Sequence, residues 1–375
     1  MITDVNPFIY SRPIPPEEVI DRDEETRRLL ELAVGGHFAR LYAPRKFGKT
    51  SLLGRVLRDG EKSEGLIPVM VDLYGVLSVG DIAVRIERAY AKHLKGPIRK
   101  QVDKFLQSTG LGLSLGAYGI SAKLQIDPKT DPLPALHSLL DLPLRLEASG
   151  GFRALIVFDE FQDIVKVPEM DALLRAHIQY QGEVASYIFA GSEHGMMEQL
   201  FGNKDRPLYG SAVPMRLGPL PNEDIAEYVT QRFDESGSEV GDALNPLLDT
   251  ARGHPQRAIQ LAHWLWEVTP KGETANFERW EETLETVLLE LEPEFDAHWR
   301  SLDTSEQKAL RAVIAGDGSP LRTNVLHQLE VEKTTVYNAL RRLGQSADID
   351  RDGGRWQIVD PLFQLWITRL ARARA

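Results

Sequence analysis

Residues 41–50 read Leu-Tyr-Ala-Pro-Arg-Lys-Phe-Gly-Lys-Thr and contain the most informative motif of this chain. The last three, Gly48-Lys49-Thr50, fit the end of the phosphate-binding loop G-x-x-x-x-G-K-[ST]. A short apolar run at 38–42 precedes them and a helical pattern follows, which is the context that this loop requires. Ala43 replaces the first glycine, and alanine fits there if its φ is negative. The stretch therefore predicts a nucleoside triphosphate site.

Each residue type at the end of this loop has a chemical reason. Gly48 lets the backbone curl so that its N–H groups point at phosphates. Lys49 would place its ammonium on the β- and γ-phosphates, and Thr50 would offer its hydroxyl to Mg²⁺. The positive N-terminus of the next helix attracts the same anion. The other residues expected to contact ATP here are Ala43, Pro44, Arg45, Lys46, Phe47 and Ser51.

Two further apolar runs end in polar residues. Residues 154–158 (Ala-Leu-Ile-Val-Phe) precede Asp159 and Glu160, and 187–190 (Tyr-Ile-Phe-Ala) precede Gly191-Ser192. A buried parallel strand delivers its carboxyl end to the ligand crevice. We expect Asp159 to hold Mg²⁺ through water and Glu160 to polarise the attacking water. Ser192 would sense the γ-phosphate or position the water, although a serine that caps the following helix is the alternative.

The alternation of strand and helix patterns predicts an α/β fold, with a parallel sheet covered by helices on both faces. After Pro219 the patterns are helical only, until a candidate hairpin at Asp352-Gly353-Gly354. The glycine-rich stretch 110–126 alternates apolar and small residues and predicts a hairpin. The expected division is a Pro-rich extended arm (1–20), an α/β core (21–220) with an inserted hairpin near 96–132, a helical domain (221–295) and a C-terminal module (296–375).

Composition limits the class of protein. The chain has 375 residues, 42% of them hydrophobic, and a net charge of −11, which excludes a mostly disordered protein and disfavours one whose whole surface coats nucleic acid. The absence of cysteine excludes disulfides, thiolate zinc sites and cysteine nucleophiles. No signal peptide or apolar run of membrane-spanning length is visible in the sequence. We therefore expect a cytoplasmic protein without membrane contact.

Several short motifs together resemble the archaeal-type ATPase family, which belongs to the AAA+-related P-loop ATPases and is grouped with the STAND signalling ATPases. The matching pieces run through nearly the whole chain: Asn6-Pro7-Phe8, Pro15-Pro16-Glu17, Ile20-Asp21-Arg22-Asp23-Glu24, Tyr42-Ala43-Pro44-Arg45, Gly48-Lys49-Thr50-Ser51-Leu52-Leu53, Phe158-Asp159-Glu160-Phe161-Gln162, Phe189-Ala190-Gly191-Ser192, Pro207-Leu208-Tyr209-Gly210, Gly253-His254-Pro255 and Asp360-Pro361-Leu362-Phe363. The resemblance implies an AAA+-like ATPase core that uses ATP and Mg²⁺, a helical lid and a C-terminal winged helix.

The resemblance also implies roles for residues outside the phosphate-binding loop. Ile20 and Asp21 would lie beside the adenine. The turn at Gly253-His254-Pro255 would bring the lid over the nucleotide, with His254 or Arg257 reporting its state; a solvated helix residue is the alternative for Arg257. Arg206 lies shortly after the strand that ends at Ser192, and this position makes it a candidate arginine finger for a neighbouring subunit, and hence favours a homo-oligomer.

The C-terminal module has a pattern typical of a recognition helix at 333–343. Val336, Leu340 and Leu343 form its apolar stripe. Residues 301–375 carry a net charge of +2, whereas the rest of the chain carries −13, which favours phosphate contact in this module. The candidate contacts to double-stranded DNA are Thr335, Asn338, Arg341 and Arg342 on the helix and Arg351 and Arg355 in the wing.

Two classes of function remain open from the sequence. One is a switch ATPase that couples its nucleotide state to DNA binding through the winged helix. The other is a STAND-like signalling or defence ATPase whose winged helix binds a protein partner. A small-molecule kinase is a weaker third interpretation, because no substrate pocket can be named.

Overall fold

The computed structural model describes residues 5–94, 96–107 and 131–373. Its first half alternates helices and strands, as the sequence predicts. These elements are α1 (Asp23–Val34), β1 (Ala39–Tyr42), α2 (Lys49–Glu64), β2 (Ile67–Asp72), α3 (Val79–His93), α4 (Gly96–Leu106), α5 (Leu133–Leu140), α6 (Leu142–Gly150), β3 (Ala154–Asp159), α7 (Met170–Ile178), β4 (Ala185–Gly191), α8 (His194–Gly202) and β5 (Val213–Arg216).

The second half is mostly helical. Its elements are α9 (Asn222–Ser236), α10 (Leu244–Ala251), α11 (Pro255–Glu267), α12 (Phe277–Ser301), α13 (Thr304–Ala315), α14 (Thr323–Gln328), α15 (Lys333–Gln345), β6 (Ile349–Asp352), β7 (Arg355–Ile358) and α16 (Pro361–Ala373). The antiparallel pair of β6 and β7 is joined at Gly353-Gly354, where both glycines have positive φ. The hairpin predicted at 352–354 is therefore present.

The five strands of the first half form one parallel sheet in the order β2-β3-β4-β1-β5. Every residue of β3 and β4 is buried, which explains why their sequences are continuous apolar runs rather than alternating ones. Because β1, β3 and β4 are adjacent and parallel, their carboxyl ends meet at one edge of the sheet. This geometry brings the three motifs of the sequence together.

Helices cover both faces of the sheet and enclose separate parts of the core. On one face, Leu29 of α1 and Leu52 of α2 pack against the apolar side chains of β1. On the other, Ile82 of α3 and Leu136 of α5 pack against β2 and β3. Helix α3 begins at a good capping residue, since the Ser78 side chain accepts a hydrogen bond from the backbone N–H of Asp81 at 3.1 Å.

The expected hairpin insertion near 96–132 is wrong at its beginning. Residues 96–106 form helix α4, whose apolar residues Val102 and Leu106 are buried against the core. Apolar side chains four residues apart lie on one face of a helix, and burial of that face accounts for the helix here. The glycine-rich stretch 110–126, which predicts the hairpin itself, lies outside the described residues.

The helical second half has one continuous hydrophobic core. That core includes Phe233 of α9, Phe295 of α12, Leu340 of α15 and Leu362 of α16, and Phe8 of the N-terminal arm also packs into it. The boundary expected at 295/296 falls inside helix α12, which runs without interruption from 277 to 301. The two parts therefore meet within one helix and not at a linker.

Candidate nucleotide site and C-terminal surface

The phosphate-binding loop connects β1 to α2 in the way that the motif requires. Gly48 has a φ of 79°, and an added Cβ there would meet no described atom within 4 Å. The backbone conformation, not space, therefore selects glycine. Ala43 is fully buried under the loop, has a φ outside the left-handed region, and donates its N–H to Gly191 O at 3.2 Å. This geometry shows how alanine fits at the first glycine position.

Lys49 contacts the two acidic residues at the end of β3. The Lys49 ammonium forms ion pairs with Asp159 and with Glu160 Oε1, the latter at 3.0 Å, and Lys49 is buried. The Thr50 hydroxyl donates to Asp159 Oδ2 at 2.9 Å. Lys49, Thr50, Asp159 and Glu160 thus form one cluster, although 110 residues separate Lys49 from Asp159 in sequence.

Ser192 at the end of β4 completes this cluster. Its hydroxyl donates to Glu160 Oε2 at 2.8 Å, and Gln162 contacts both Glu160 and Ser192 through its side-chain amide. Burial raises the pKa of Glu160, but the charge of Lys49 and hydrogen bonds from Gln162, Ser192 and Lys49 outweigh it, so this pKa lies below its ordinary value. Glu160 is therefore a carboxylate at neutral pH, with both oxygens held by neighbours. The sequence analysis did not single out Gln162, although it follows the acids directly.

A cavity of about 390 Å³ lies over the loop and this cluster. The expected residues in its wall are Ile20, Pro44, Arg45, Lys46, Phe47, Gly48, Lys49, Thr50, Ser51, Glu160 and Ser192. Asp159 lies behind Lys49 and Thr50, while Ala43 and Asp21 lie outside the wall. Further wall residues that sequence reasoning missed come from the N-terminal arm (9–14) and from α11, which contributes Pro255, Gln256 and Ile259.

Arg257, which the resemblance makes a candidate reporter of the nucleotide state, does not line the cavity and is not a solvated residue. It is 1% exposed, and its Nε lies 3.1 and 3.0 Å from the two carboxylate oxygens of Asp360, at the start of α16. Its Nη1 donates to Gln260 at 2.6 Å. The buried guanidinium is therefore matched by a carboxylate of the same chain, as a buried charge requires.

His254 lies between the loop and the lid rather than in the cavity wall. Its ring packs edge-on against Phe47, with ring centroids 4.9 Å apart. Burial lowers the pKa of His254 to about 4, so the ring is neutral near pH 7. Its Nδ1 accepts the backbone N–H of Arg257 at 3.3 Å and caps α11. His254 thus connects the phosphate-binding loop to the lid by packing.

Arg206, the candidate arginine finger, lies on the core surface outside the cavity wall. Its Nη2 is 2.9 Å from Asp171 Oδ2 of the same chain, and the side chain is 36% exposed. An intramolecular carboxylate therefore holds this arginine in the single chain. Its action on a neighbouring subunit stays a prediction.

The C-terminal surface matches the pattern expected for α15 in part. Thr335, Asn338 and Arg341 are exposed, and Val336, Leu340 and Leu343 are buried. Arg342, in contrast, is held by Asp303 at 2.7 Å and Glu306 at 2.9 Å, the two capping-box residues of α13.

The two wing arginines also have contacts within the module. Arg355 pairs with Asp317 at 3.2 Å, and the Arg351 guanidinium lies over the Trp356 ring with Nε 3.3 Å from Gly354 O. Of the four arginines expected to contact DNA, only Arg341 makes no hydrogen bond or ion pair with any described residue.

The residues at the cavity fit a nucleotide with a divalent cation. The loop presents a lysine and a helix N-terminus to an anion, which is the chemistry of phosphate binding. Thr50 Oγ1 and Asp159 Oδ2, at 2.9 Å, are adjacent oxygen donors of the kind that Mg²⁺ prefers. The Ile20 and Ile259 side chains and the arm give the cavity an apolar part that suits a base.

No protein-family model matches the chain, and no curated protein matches it. Among solved structures it is similar to a Walker-type ATPase of Pyrococcus abyssi, with 20% identity over 96% of this chain and 99% of that chain and a TM-score of 0.70. It is also similar to the ORC2 protein of Aeropyrum pernix, solved as ADPNP–ADP complexes, with 14% identity over 98% of both chains and a TM-score of 0.60. These likenesses confirm the expected α/β fold, a parallel sheet covered by helices and followed by a helical C-terminal region.

The sequence predicts no membrane-spanning segment. Each helix in the described ranges is too short or too polar to traverse a bilayer.

Proposed function

We propose that the protein binds ATP with Mg²⁺ and hydrolyses it to ADP and phosphate. The observation that carries this proposal is the convergence of Lys49, Thr50, Asp159, Glu160 and Ser192 at the carboxyl edge of one parallel sheet, beside a cavity of about 390 Å³. The similarity to a Walker-type ATPase over nearly the whole chain supports it.

Each residue of this cluster has a role that follows from its contacts. Lys49 would bind the β- and γ-phosphate oxygens, and Thr50 and Asp159 would hold Mg²⁺, which supplies neutralisation of phosphate charge when bound. Glu160, a carboxylate at neutral pH, would accept a proton from the attacking water at a carboxylate oxygen. Ser192 and Gln162 would orient that carboxylate through their hydrogen bonds.

The present contacts of Lys49 imply a rearrangement on binding. The ammonium pairs with both Asp159 and Glu160. To reach a phosphate it exchanges carboxylate partners for phosphate oxygens, and this exchange frees Glu160 for water. Nucleotide binding and activation of the base are thereby linked through one side chain.

Two variants test the ATPase proposal. Lys49→Ala should abolish tight ATP binding, because it removes the buried cation of the loop. Glu160→Gln should bind ATP but hydrolyse it about 100-fold more slowly or worse, as expected when a general base is lost. Lys62→Ala and Glu64→Gln, at exposed positions of the same helix α2, are the matched controls. Normal turnover in Glu160→Gln would contradict the assigned role.

We further propose that the C-terminal module is a winged helix-turn-helix that binds double-stranded DNA in a nucleotide-dependent way. The net charge of +2 on 301–375 and the exposed Thr335, Asn338 and Arg341 on α15 support this. Contact between the module and the lid within one hydrophobic core supports the coupling. A homo-oligomer, with Arg206 acting on a neighbour, is part of the same proposal.

A protein partner is the second candidate for the C-terminal surface. Acidic side chains already engage Arg342 and Arg355, and Asp350 of the hairpin forms an ion pair with Arg216 of β5 in the ATPase core. A hairpin that pairs with a protein surface favours protein docking. In this case the module would act as the output of a STAND-like signalling ATPase.

DNA binding at rising salt distinguishes these two candidates. If DNA binds, Arg341→Ala should weaken it and lower the slope of log K against log salt by about 0.9 for each lost phosphate contact. Arg28→Ala is the matched charge control, since Arg28 is an exposed arginine of α1 that pairs with Glu31 and lies outside the C-terminal module. If the intact protein binds no DNA at low salt with ATP, with ADP or without nucleotide, the DNA proposal is wrong.

A further inference from the structure

The N-terminal arm, residues 5–15, is fixed to the lid at its beginning. Phe8 is 1% exposed and its ring lies 5.6 Å from that of Phe233. The Asn6 side-chain amide donates to His263 O at 3.1 Å, and His263 Nδ1 donates to Phe8 O at 2.8 Å. The arm is therefore a packed part of the lid, although 257 residues separate Asn6 from His263.

The same arm is fixed to the phosphate-binding helix at its other end. The backbone N–H of Ile14 donates to Ser51 Oγ at 3.2 Å, in the first turn of α2. Between the two anchors, residues 9–14 form part of the cavity wall. Gln256 of the lid also donates to Tyr10 O at 3.3 Å. The arm thus crosses the cavity from the lid to the loop.

Arg12 is the cation that this arm places at the cavity. The other basic residues of the wall have carboxylate partners: Arg22 with Glu25, Arg45 with Glu193, Lys46 with Glu294, and Lys49 with Asp159 and Glu160. Arg12 is exposed and makes no hydrogen bond or ion pair with any described residue. The wall therefore contains a guanidinium whose charge the described chain leaves unmatched.

The position of Arg12 indicates the chemistry of its ligand. It lies two residues before Ile14, a backbone span of about 7 Å at full extension, and Ile14 contacts the first turn of α2. An arginine side chain can therefore reach the space in front of the helix N-terminus, where phosphate binds. A planar guanidinium with several donors suits a phosphate better than a neutral base or ribose.

We propose that Arg12 binds a phosphate oxygen of the nucleotide, so that the N-terminal arm closes the site from the lid side; this inference rests on the proposed ATP binding. The arm then contacts the nucleotide directly through Arg12. Since Phe8 anchors it in the lid, a phosphate contact at Arg12 ties the position of the lid to the bound nucleotide.

Calorimetric titration of the full chain with ATP and with ADP tests the inference. Arg12→Ala should raise the Kd for at least one of these nucleotides about tenfold or more, the scale expected for a lost charge-assisted hydrogen bond. Arg12→Lys should recover part of the affinity, because it keeps the charge without the planar fork. Arg28→Ala, an exposed arginine of α1 paired with Glu31, is the matched control.

Two further measurements, the salt dependence of the Kd and the melting temperature, distinguish a role of Arg12 in nucleotide binding from a role in folding. The Kd of Arg12→Ala should rise less steeply with salt than that of the wild type, since one ionic contact is gone, and its nucleotide-free melting temperature should be unchanged. Wild-type affinity and salt dependence in Arg12→Ala would overturn the inference and leave the ATPase proposal standing. Failure of the wild type to bind ATP or ADP would overturn both.

Discussion

The ion pair of Arg257 and Asp360 should be one of the most costly contacts to break in the helical half of the chain. Arg257 is 1% exposed, and the Asp360 side chain is 22% exposed. Asp360 also caps α16, accepting the backbone N–H of Leu362 at 3.0 Å and of Phe363 at 3.3 Å. Removing its carboxylate therefore leaves a buried guanidinium without its counter-charge and a helix without its cap.

The two effects can be given magnitudes. Loss of one partner of a buried pair costs about 3–5 kcal/mol, and loss of an N-cap side chain about 1 kcal/mol. Asp360→Ala should therefore lower the free energy of unfolding by about 4–6 kcal/mol. Asp360→Asn keeps an oxygen that can cap the helix, and it should lose only the first of these contributions.

Urea denaturation followed by tryptophan fluorescence measures this loss in the right part of the molecule. The six tryptophans all lie in the helical half: Trp264, Trp266, Trp280, Trp299, Trp356 and Trp366. A loss of less than about 1 kcal/mol in Asp360→Ala, well below the range for a buried pair, would refute the reasoning.

The pH dependence supplies a second check. Burial raises the pKa of Asp360, but the Arg257 charge and hydrogen bond outweigh it, so this pKa lies below its ordinary value of 3.8. The stabilising contribution is thus present above pH 3.8 and lost as the pH falls through the folded-state pKa. The difference between wild type and Asp360→Asn should shrink over that acid range.

Three other substitutions have expected results. Ser192→Ala should slow ATP turnover with little loss of ATP affinity, because Ser192 contacts Glu160; an equal loss of affinity in binding assays would contradict a role in turnover. Gly48→Ala should lower the free energy of unfolding by about 1–2 kcal/mol, owing to its left-handed φ of 79°, and unchanged urea curves would count against this. The Asp348 hydrogen bond raises the pKa of His298, so its contribution to stability is full below pH 6.5 and falls as pH rises through the raised pKa. Asp348→Asn should weaken this dependence in denaturation curves, and the same pH slope in both proteins would exclude the contact as its source.

The sequence was sufficient for the parts of the site that depend on local patterns. The loop around Gly48, the acids after β3 and the serine after β4 each follow a buried apolar strand. Parallel strands deliver such residues to a common edge. The contacts of Lys49 with Asp159 and Glu160 and of Ser192 with Glu160 follow from that topology.

The remaining contacts depend on long-range packing that no local pattern records. The resemblance implies that His254 or Arg257 reports the nucleotide state, but the sequence does not predict that a carboxylate 103 residues away holds Arg257. The sequence predicts an extended arm but does not indicate what it packs against, whereas Phe8 is buried among the helices of the second half. In both cases the position of the side chain is determined by burial or by charge pairing with residues that are distant in sequence.

Helix α4 illustrates another limit of pattern reading. The glycine-rich stretch 110–126 predicts a hairpin within an insertion near 96–132, with no helix predicted there, yet 96–106 is helical. Val102 and Leu106 have a helical spacing, but two apolar residues alone do not predict a helix. The helix is explained by the apolar surface against which both side chains pack.

Helix α12 is long enough that a small rotation at one end would move the other end by several ångströms. Its 25 residues run from the helical stretch that follows β5 into the C-terminal module, and Glu294, the 18th of them, pairs with Lys46 of the loop before α2 at 3.1 Å. A helix of this length spans about 37 Å, so turning one end by about 10° moves the other by about 6 Å. That displacement is about half the width of a DNA major groove. If the C-terminal module binds DNA as proposed, a tilt of this size at the nucleotide site would bring α15 into or out of register with the major groove.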